Sequence, residues 1–227
     1  MKILAIQNRM GIGDTVIFLP YIEAISKKFG IPISLLVKKN SKADQYLNHT
    51  TYLDEIIFLE RDNKKRGGHD GIIGSFRLAQ DLKKYKFNKI FIFNSSLRFK
   101  LIAKLAKIKE IYQYPLFKKN NQHIIQSAKD LIKNSLGLDV TNSPQIQVDN
   151  DLIKKAIFKF HINNNELNIL FGIGGSGPTK RIPSKTFLSV IKKIDKIKKC
   201  KFFLATGKKE EEQKILNEIM KSKFKEK

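Results

Sequence analysis

Cysteine, arginine, histidine and long apolar runs are all scarce in this chain, and each scarcity excludes something. Cys200 is the single cysteine among 227 residues. No intramolecular disulfide can form, and a reducing compartment is the default. No stretch approaches the roughly 18 apolar residues of a membrane-spanning helix. The N-terminus reads as a strand entering a glycine turn, not as a signal peptide. Only six of the 44 basic residues are arginine. Proteins that read nucleic-acid sequence favour arginine for its bidentate contacts, so a specific nucleic-acid partner is not expected. His49, His69, His123 and His161 are scattered without metal-ligand spacing and fit surface or capping roles. A Gly-x-Ser-x-Gly elbow is missing too, and Cys200 beside an apolar strand reads as core.

What the chain has in excess is lysine. The formal net charge is +23, with 41% hydrophobic residues to build a core. Much of that charge fits compositional drift and solvated helix faces. The remainder suits attraction to an anionic membrane surface or to anionic substrates.

Short apolar runs alternate with amphipathic stretches. Strands are expected at Lys2–Gln7, Ile31–Val37, Ile56–Leu59, Lys89–Phe93, Glu110–Tyr114, Leu167–Phe171 and Lys201–Ala205. Helical patterns follow Asp14 up to Gly30, then cover Ile72–Tyr85, a segment around Leu101–Ile108, Ile124–Leu136, Leu152–Phe160, Ser184–Lys199 and Glu210–Lys221. Pro20 inside the first pattern means either a bend or a regular helix that begins near it. In the fourth-strand connection, Leu101, Ile102, Leu105 and Ile108 are expected inward, with Lys100, Lys104 and Lys107 outward. In the stretch Ser184–Lys199 the inward set is Val190, Ile191, Ile194 and Ile197. Charged, glycine-rich Arg61–Gly68 reads as a loop, and Gly137–Val148 as a linker. This alternation is the mark of an α/β chain with parallel sheets. Two domains follow, 1–147 and 148–227, the second with only two strands.

Two glycine-rich turns each follow a strand: Gly11-Ile-Gly-Asp14, and Gly174-Gly-Ser-Gly-Pro-Thr-Lys180. Such turns bring backbone N–H groups to the carboxyl end of a strand, where phosphates bind. The first departs from the dinucleotide fingerprint. Val16 stands where a third glycine belongs, and Lys38 and Lys39 stand where an acidic residue would hold a ribose, so a nicotinamide-dependent oxidoreductase is disfavoured. Read without any likeness, it is a tight turn with Asp14 as helix N-cap. The second lacks Gly-Lys-Ser/Thr and is no Walker A loop. Its N–H groups with Ser176, Thr179 and Lys180 suit a pyrophosphate.

Four segments, in order and spacing, resemble glycosyltransferase family 9, the ADP-heptose:lipopolysaccharide heptosyltransferases and their relatives. They are Asn8–Pro20, Tyr85–Arg98, Gly172–Phe187 and Leu204–Glu212. The third follows a family motif that usually reads Lys-Arg-Trp-Pro, with Ile182 here in place of tryptophan. The resemblance implies a GT-B-like architecture: two Rossmann-like domains facing a cleft, the N-terminal one for the acceptor and the C-terminal one, incomplete here, for the donor. Family members are longer, and the absent part would hold the Asp-Ser/Thr-Gly-x-x-His segment of the donor pocket. The implied reaction is metal-free, inverting transfer of a heptose-like sugar from a nucleotide diphosphate, ADP-heptose in the leading case. The acceptor would be a lipopolysaccharide or other lipid-linked surface glycan at the inner face of the cytoplasmic membrane.

Residue by residue, the resemblance makes Asp14 the general base, a role that needs partial burial because a helix N-terminus stabilises the anion. It assigns the first turn's Gly11 and Gly13, with Ser176, Thr179 and Lys180, to binding, the last three at the donor phosphates. Glu210 would accept hydrogen bonds from ribose hydroxyls, and Arg98 would lie near an anionic acceptor. No cofactor is implied beyond the donor itself. The alternative expectation is a remnant that binds nucleotide or anionic surfaces without catalysis.

Overall fold

The computed structural model describes residues 1–9, 11–61, 68–116, 122–175, 177 and 180–222. Two compact units emerge, Met1–Asp149 and Asn150–Lys227.

The first unit is built on a five-stranded parallel sheet in the order β3-β2-β1-β4-β5. Its strands are β1 (Ile3–Ile6), β2 (Ile33–Lys38), β3 (Leu53–Leu59), β4 (Lys89–Ile92) and β5 (Glu110–Gln113). Both faces of a parallel sheet must be covered, so its strands read as continuous apolar runs. Side chains alternate along each strand. Ile3, Ala5, Leu35, Val37 and Phe91 therefore enter one core, and Leu4, Ile6, Leu36, Ile90 and Ile92 the other. The first core is closed by α2 (Leu19–Phe29) and α6 (Ile124–Leu136), through Tyr21, Ile22, Ile25, Ala128 and Ile132. The second is closed by α4 (Gly71–Tyr85) and α5 (Leu97–Leu105), through Leu78, Leu82, Phe99 and Ile102.

Pro20 selects between the two possibilities left open by the sequence. A five-residue helix α1 (Ile12–Val16) ends before it, and α2 starts at Leu19 with Pro20 in its first turn. There the missing N–H costs nothing, because the first amides of a helix have no partner. Between β2 and β3 the chain adds a 3-10 turn at Lys39–Ser41 and a short α3 (Ala43–Tyr46), neither foreshadowed by apolar periodicity. Residues 62–67 of the expected loop lie outside the described residues. The expected linker after α6 has no regular structure but is bound to the first unit. Asn142 donates to the Tyr21 hydroxyl at 3.1 Å, and Thr51 N–H donates to Gln147 Oε1 at 2.7 Å.

The second unit contains α7 (Asn150–Phe160), β6 (Leu167–Ile173), α8 (Ser184–Ile197), β7 (Cys200–Thr206) and α9 (Glu210–Met220). Its two strands pair in parallel from Leu167↔Cys200 to Ile173↔Thr206. The buried core is Ile173, Phe187, Ile191 and Ile219.

Two helix faces differ from the sequence expectation. On α5, Phe99, Ile102 and Ala103 face the sheet, while Leu101 and Leu105 face solvent. On α8, Phe187 and Ile191 are buried, while Val190 and Ile197 point outward. Both stretches carry more apolar residues than one face holds, and the sheet selects which ones it covers.

Candidate functional site

In the first unit, β1 and β4 are neighbours, yet the chain leaves β1 towards β2 on one side and returns to β4 on the other. Ligands of open α/β sheets bind outside the carboxyl ends at such a switch point. Four carboxamides organise this rim. Fully buried Gln7 donates through Nε2 to the Asp14 carbonyl at 2.8 Å and accepts from Arg9 N–H at 2.9 Å. Asn94 Nδ2 donates to Asn8 Oδ1 at 3.2 Å, tying the end of β4 to the end of β1. Gln113 Nε2 reaches the carbonyls of Asn94 and Ser96 at 3.0 and 2.9 Å.

Gly11, not Asp14, is the N-cap of α1. Its φ of 103° and ψ of 162° suit glycine alone, and a Cβ there would lie 3.6 Å from Asp14 Oδ2. Asp14 sits in the first turn, half-buried, and no donor among the described residues meets its carboxylate. Gly13 is exposed, and a Cβ on it would meet nothing within 4 Å.

Further along the same rim, two arginines converge. Arg61 Nε donates to Asp70 Oδ1 at 2.9 Å, and Arg98 donates to the His69 carbonyl. Burial, with Arg61 adding like charge, lowers the Arg98 guanidinium from its ordinary pKa, and Asp70 opposes this. His69 departs from the expected surface role, being only 8% exposed. Its Nδ1 accepts from Glu60 N–H at 3.0 Å, which leaves Nε2 to carry the proton towards Asp81 Oδ2 at 3.3 Å. His123 does cap a helix, accepting from Ile125 N–H at the start of α6.

In the second unit, the turn after β6 is shaped by close approach. A Cβ on Gly174, whose φ is 140°, would come within 2.8 Å of the Glu212 carboxylate, and one on Gly175 within 2.7 Å of the Lys180 carbonyl. Lys180 N–H donates to Gly177 O at 3.0 Å, and its side chain is exposed. Ser176 and Thr179 lie outside the described residues.

Three consecutive residues in the first turn of α9 hold the surroundings of this turn. Glu211 pairs with Arg181 at 3.6 Å, and Gln213 donates to Gly207 O at 2.7 Å. Between them Glu212 is 7% exposed and lines a shallow cavity of about 420 Å³ at the carboxyl ends of β6 and β7, with Gly172–Gly175 and Ala205–Gly207. Its carboxylate has no hydrogen-bond donor among the described residues. Glu210, the residue expected to meet a ribose, is exposed at the head of α9. The burial of Glu212 at this cavity is not among the sequence expectations. The available signal was helical phase, since the third glutamate after Gly207 is the one turned back towards the strands.

The chain matches solved structures over nearly its whole length. A glycosyl transferase family 9 protein from Veillonella parvula DSM 2008 aligns with a TM-score of 0.73 at 17% identity, covering 96% of this chain and 66% of that one. The fold is GT-B-like. ADP-heptose LPS heptosyltransferase II of E. coli aligns at a TM-score of 0.62 and 17% identity, covering 97% of this chain and 68% of that one. E. coli heptosyltransferase WaaC with ADP aligns at 0.63 and 15% identity, covering 98% and 72%. Identities this low speak for the fold, and the chain spans about two thirds of the first two structures' length. No protein-family model and no curated protein matches the sequence. Among the described residues no helix is long and apolar enough to cross a membrane.

Proposed function

We propose that this chain is a sugar transferase of the heptosyltransferase kind, using a nucleotide-diphosphate sugar and an anionic, lipid-linked glycan acceptor. The observation that carries the reading is the strand-end cavity of the second unit. The described glycine turn after β6, the Ala205–Gly207 segment after β7 and the buried Glu212 carboxylate line one opening, and the Lys180 backbone packs against Gly175 of that turn. The N–H groups and Lys180 match a diphosphate, and Glu212, rather than exposed Glu210, matches the vicinal hydroxyls of a ribose. WaaC has been solved with ADP and with ADP-2-deoxy-2-fluoro heptose, which supports an ADP-linked donor here.

In this reading the acceptor hydroxyl attacks the anomeric carbon from the face opposite the diphosphate. The anomeric carbon–oxygen bond breaks, its electron pair leaves with the nucleotide, and configuration inverts. Asp14, whose carboxylate at the first unit's switch point meets no donor among the described residues, takes the hydroxyl proton. Lys180 and the turn amides neutralise the departing diphosphate. Arg61, paired with Asp70, and Arg98, whose Nε meets no acceptor among the described residues, are the cations offered to an anionic group on the acceptor.

The test is transfer from ADP-heptose to lipopolysaccharide precursors, read by the acceptor's mass. Asp14→Asn is expected to lose transfer by about 100-fold or more while keeping donor binding. Undiminished transfer by Asp14→Asn would remove it from the reaction. A second reading, nucleotide binding without transfer, is favoured by the four-residue core of the second unit. It predicts ADP binding with no mass change on any acceptor.

A further inference from the structure

Helices α4 and α5 lie side by side over one face of the first sheet, both feeding the core of Leu78, Leu82, Phe99 and Ile102. The opposite sides of such helices are ordinarily polar. Here they are not. Ile72, Ile73 and Phe76 on α4, and Leu97, Leu101 and Leu105 on α5, are each between 47% and 79% exposed. Ile72 and Phe76 are four residues apart, as are Leu97, Leu101 and Leu105, so each set forms a row along its helix. Six large apolar side chains left in water on neighbouring helices mark a surface that something covers.

Charge identifies the cover. Arg77 on α4, Lys104 on α5 and Lys107 just beyond it are exposed, and Lys100 is half-exposed. Helix α5 contains no acidic residue, and the one acid of α4, Asp81, is engaged by His69 and Lys84. We propose that this face docks on an anionic lipid bilayer. The apolar rows enter the boundary between headgroups and acyl chains, and the lysines and Arg77 meet lipid phosphates. A second copy fits poorly, because a twofold pairing would set these cations against themselves. Nucleic acid would satisfy the cations but leave the apolar rows in water. Both helices begin at the carboxyl ends of their preceding strands, so the docked face adjoins the rim that carries Asp14 and Arg98. The inference stands without the transferase reading, since lipid binding needs no donor.

The chain has no tryptophan, so one introduced indole reports without background. Phe76→Trp is expected to shift its emission to the blue with phosphatidylglycerol vesicles and not with phosphatidylcholine vesicles. Phe158→Trp, on the exposed side of α7, is expected to stay unshifted with both. Co-sedimentation with phosphatidylglycerol vesicles is expected to fall roughly tenfold in Lys100→Glu/Lys104→Glu. A similar loss is expected in Ile73→Ser/Phe76→Ser/Leu101→Ser, with an unchanged circular dichroism spectrum. Four results would overturn the proposal: co-sedimentation without a Phe76→Trp shift, equal shifts at both tryptophans, equal binding to both lipids, or a dimer that the serine variant abolishes while no vesicle is bound.

Discussion

The two units use the same local grammar and reach different energetic states. Each sets a parallel strand before a glycine turn and a helix. In the first unit five strands bury both faces, and the two cores together hold Tyr21, Phe18, Phe91 and Phe99 almost without exposure. In the second, among the described residues, two strands share a core of four buried residues, and no residue of α7 is buried. Turn chemistry is local and needs only a few residues. Burial is collective and grows with the number of strands covered. The second unit thus carries its glycine turn on a thin scaffold, and that turn depends on the little packing beneath it.

The largest way to break this comparison is the core of the second unit. Phe187 is buried and meets Phe171 edge-on with ring centroids 5.6 Å apart. Phe187→Ala is expected to cost about 3–5 kcal/mol, more than so small a core retains. Hydrogen exchange should then show β6 and β7 unprotected while β1 and β4 keep their protection. Equal loss in both units would mean that they unfold as one.

The glycines sharpen the contrast at smaller magnitude. Gly174→Ala forces a Cβ against Glu212 at a φ of 140° and is expected to destabilise the second unit by about 1–3 kcal/mol. Gly13→Ala meets open space within a helix and is expected to change stability by no more than about 1 kcal/mol, in the stabilising direction. Urea unfolding of both variants decides this. Reduced transfer by a stable Gly13→Ala would mark a position where substrate approaches the backbone.

Tyr52 supplies the smallest effect, confined to alkaline pH in the first unit. Burial foremost, and then the charge of Glu23, pushes its hydroxyl up to about 12 from 10.0. Below pH 10 both folded and unfolded chains keep the proton, and the group contributes nothing. Between pH 10 and 12 the unfolded chain releases it and the folded chain holds it, so stability falls as pH rises. Tyr52→Phe is expected to flatten that part of the stability profile, measured by thermal unfolding across the window.

The strands and both glycine turns were legible in the sequence because apolar runs and glycine clusters are local signals. Gly30 and Gly137 end α2 and α6 in left-handed conformations, as a helix-stopping glycine should. Leu101 and Leu105 were misplaced because α5 has apolar residues on two sides, and only the sheet decides between them. The family resemblance points to Glu210, and which of the three consecutive glutamates turns towards the strands depends on the phase of α9. The carboxamide network of Gln7, Asn8, Asn94 and Gln113 joins residues up to 86 positions apart, a relation set by strand order rather than by any stretch of sequence. The Ser176 and Thr179 assignments remain proposals that rest on the family resemblance.

The central claim is that the strand-end cavity of the second unit holds a nucleoside diphosphate. Calorimetric titration of the folded chain with ADP tests it most directly, alongside Lys180→Ala and Glu212→Gln. The account predicts binding by the parent chain and a loss of roughly tenfold, about 1.4 kcal/mol, in each variant. No binding by the folded parent, or binding that both variants leave unchanged, would contradict it.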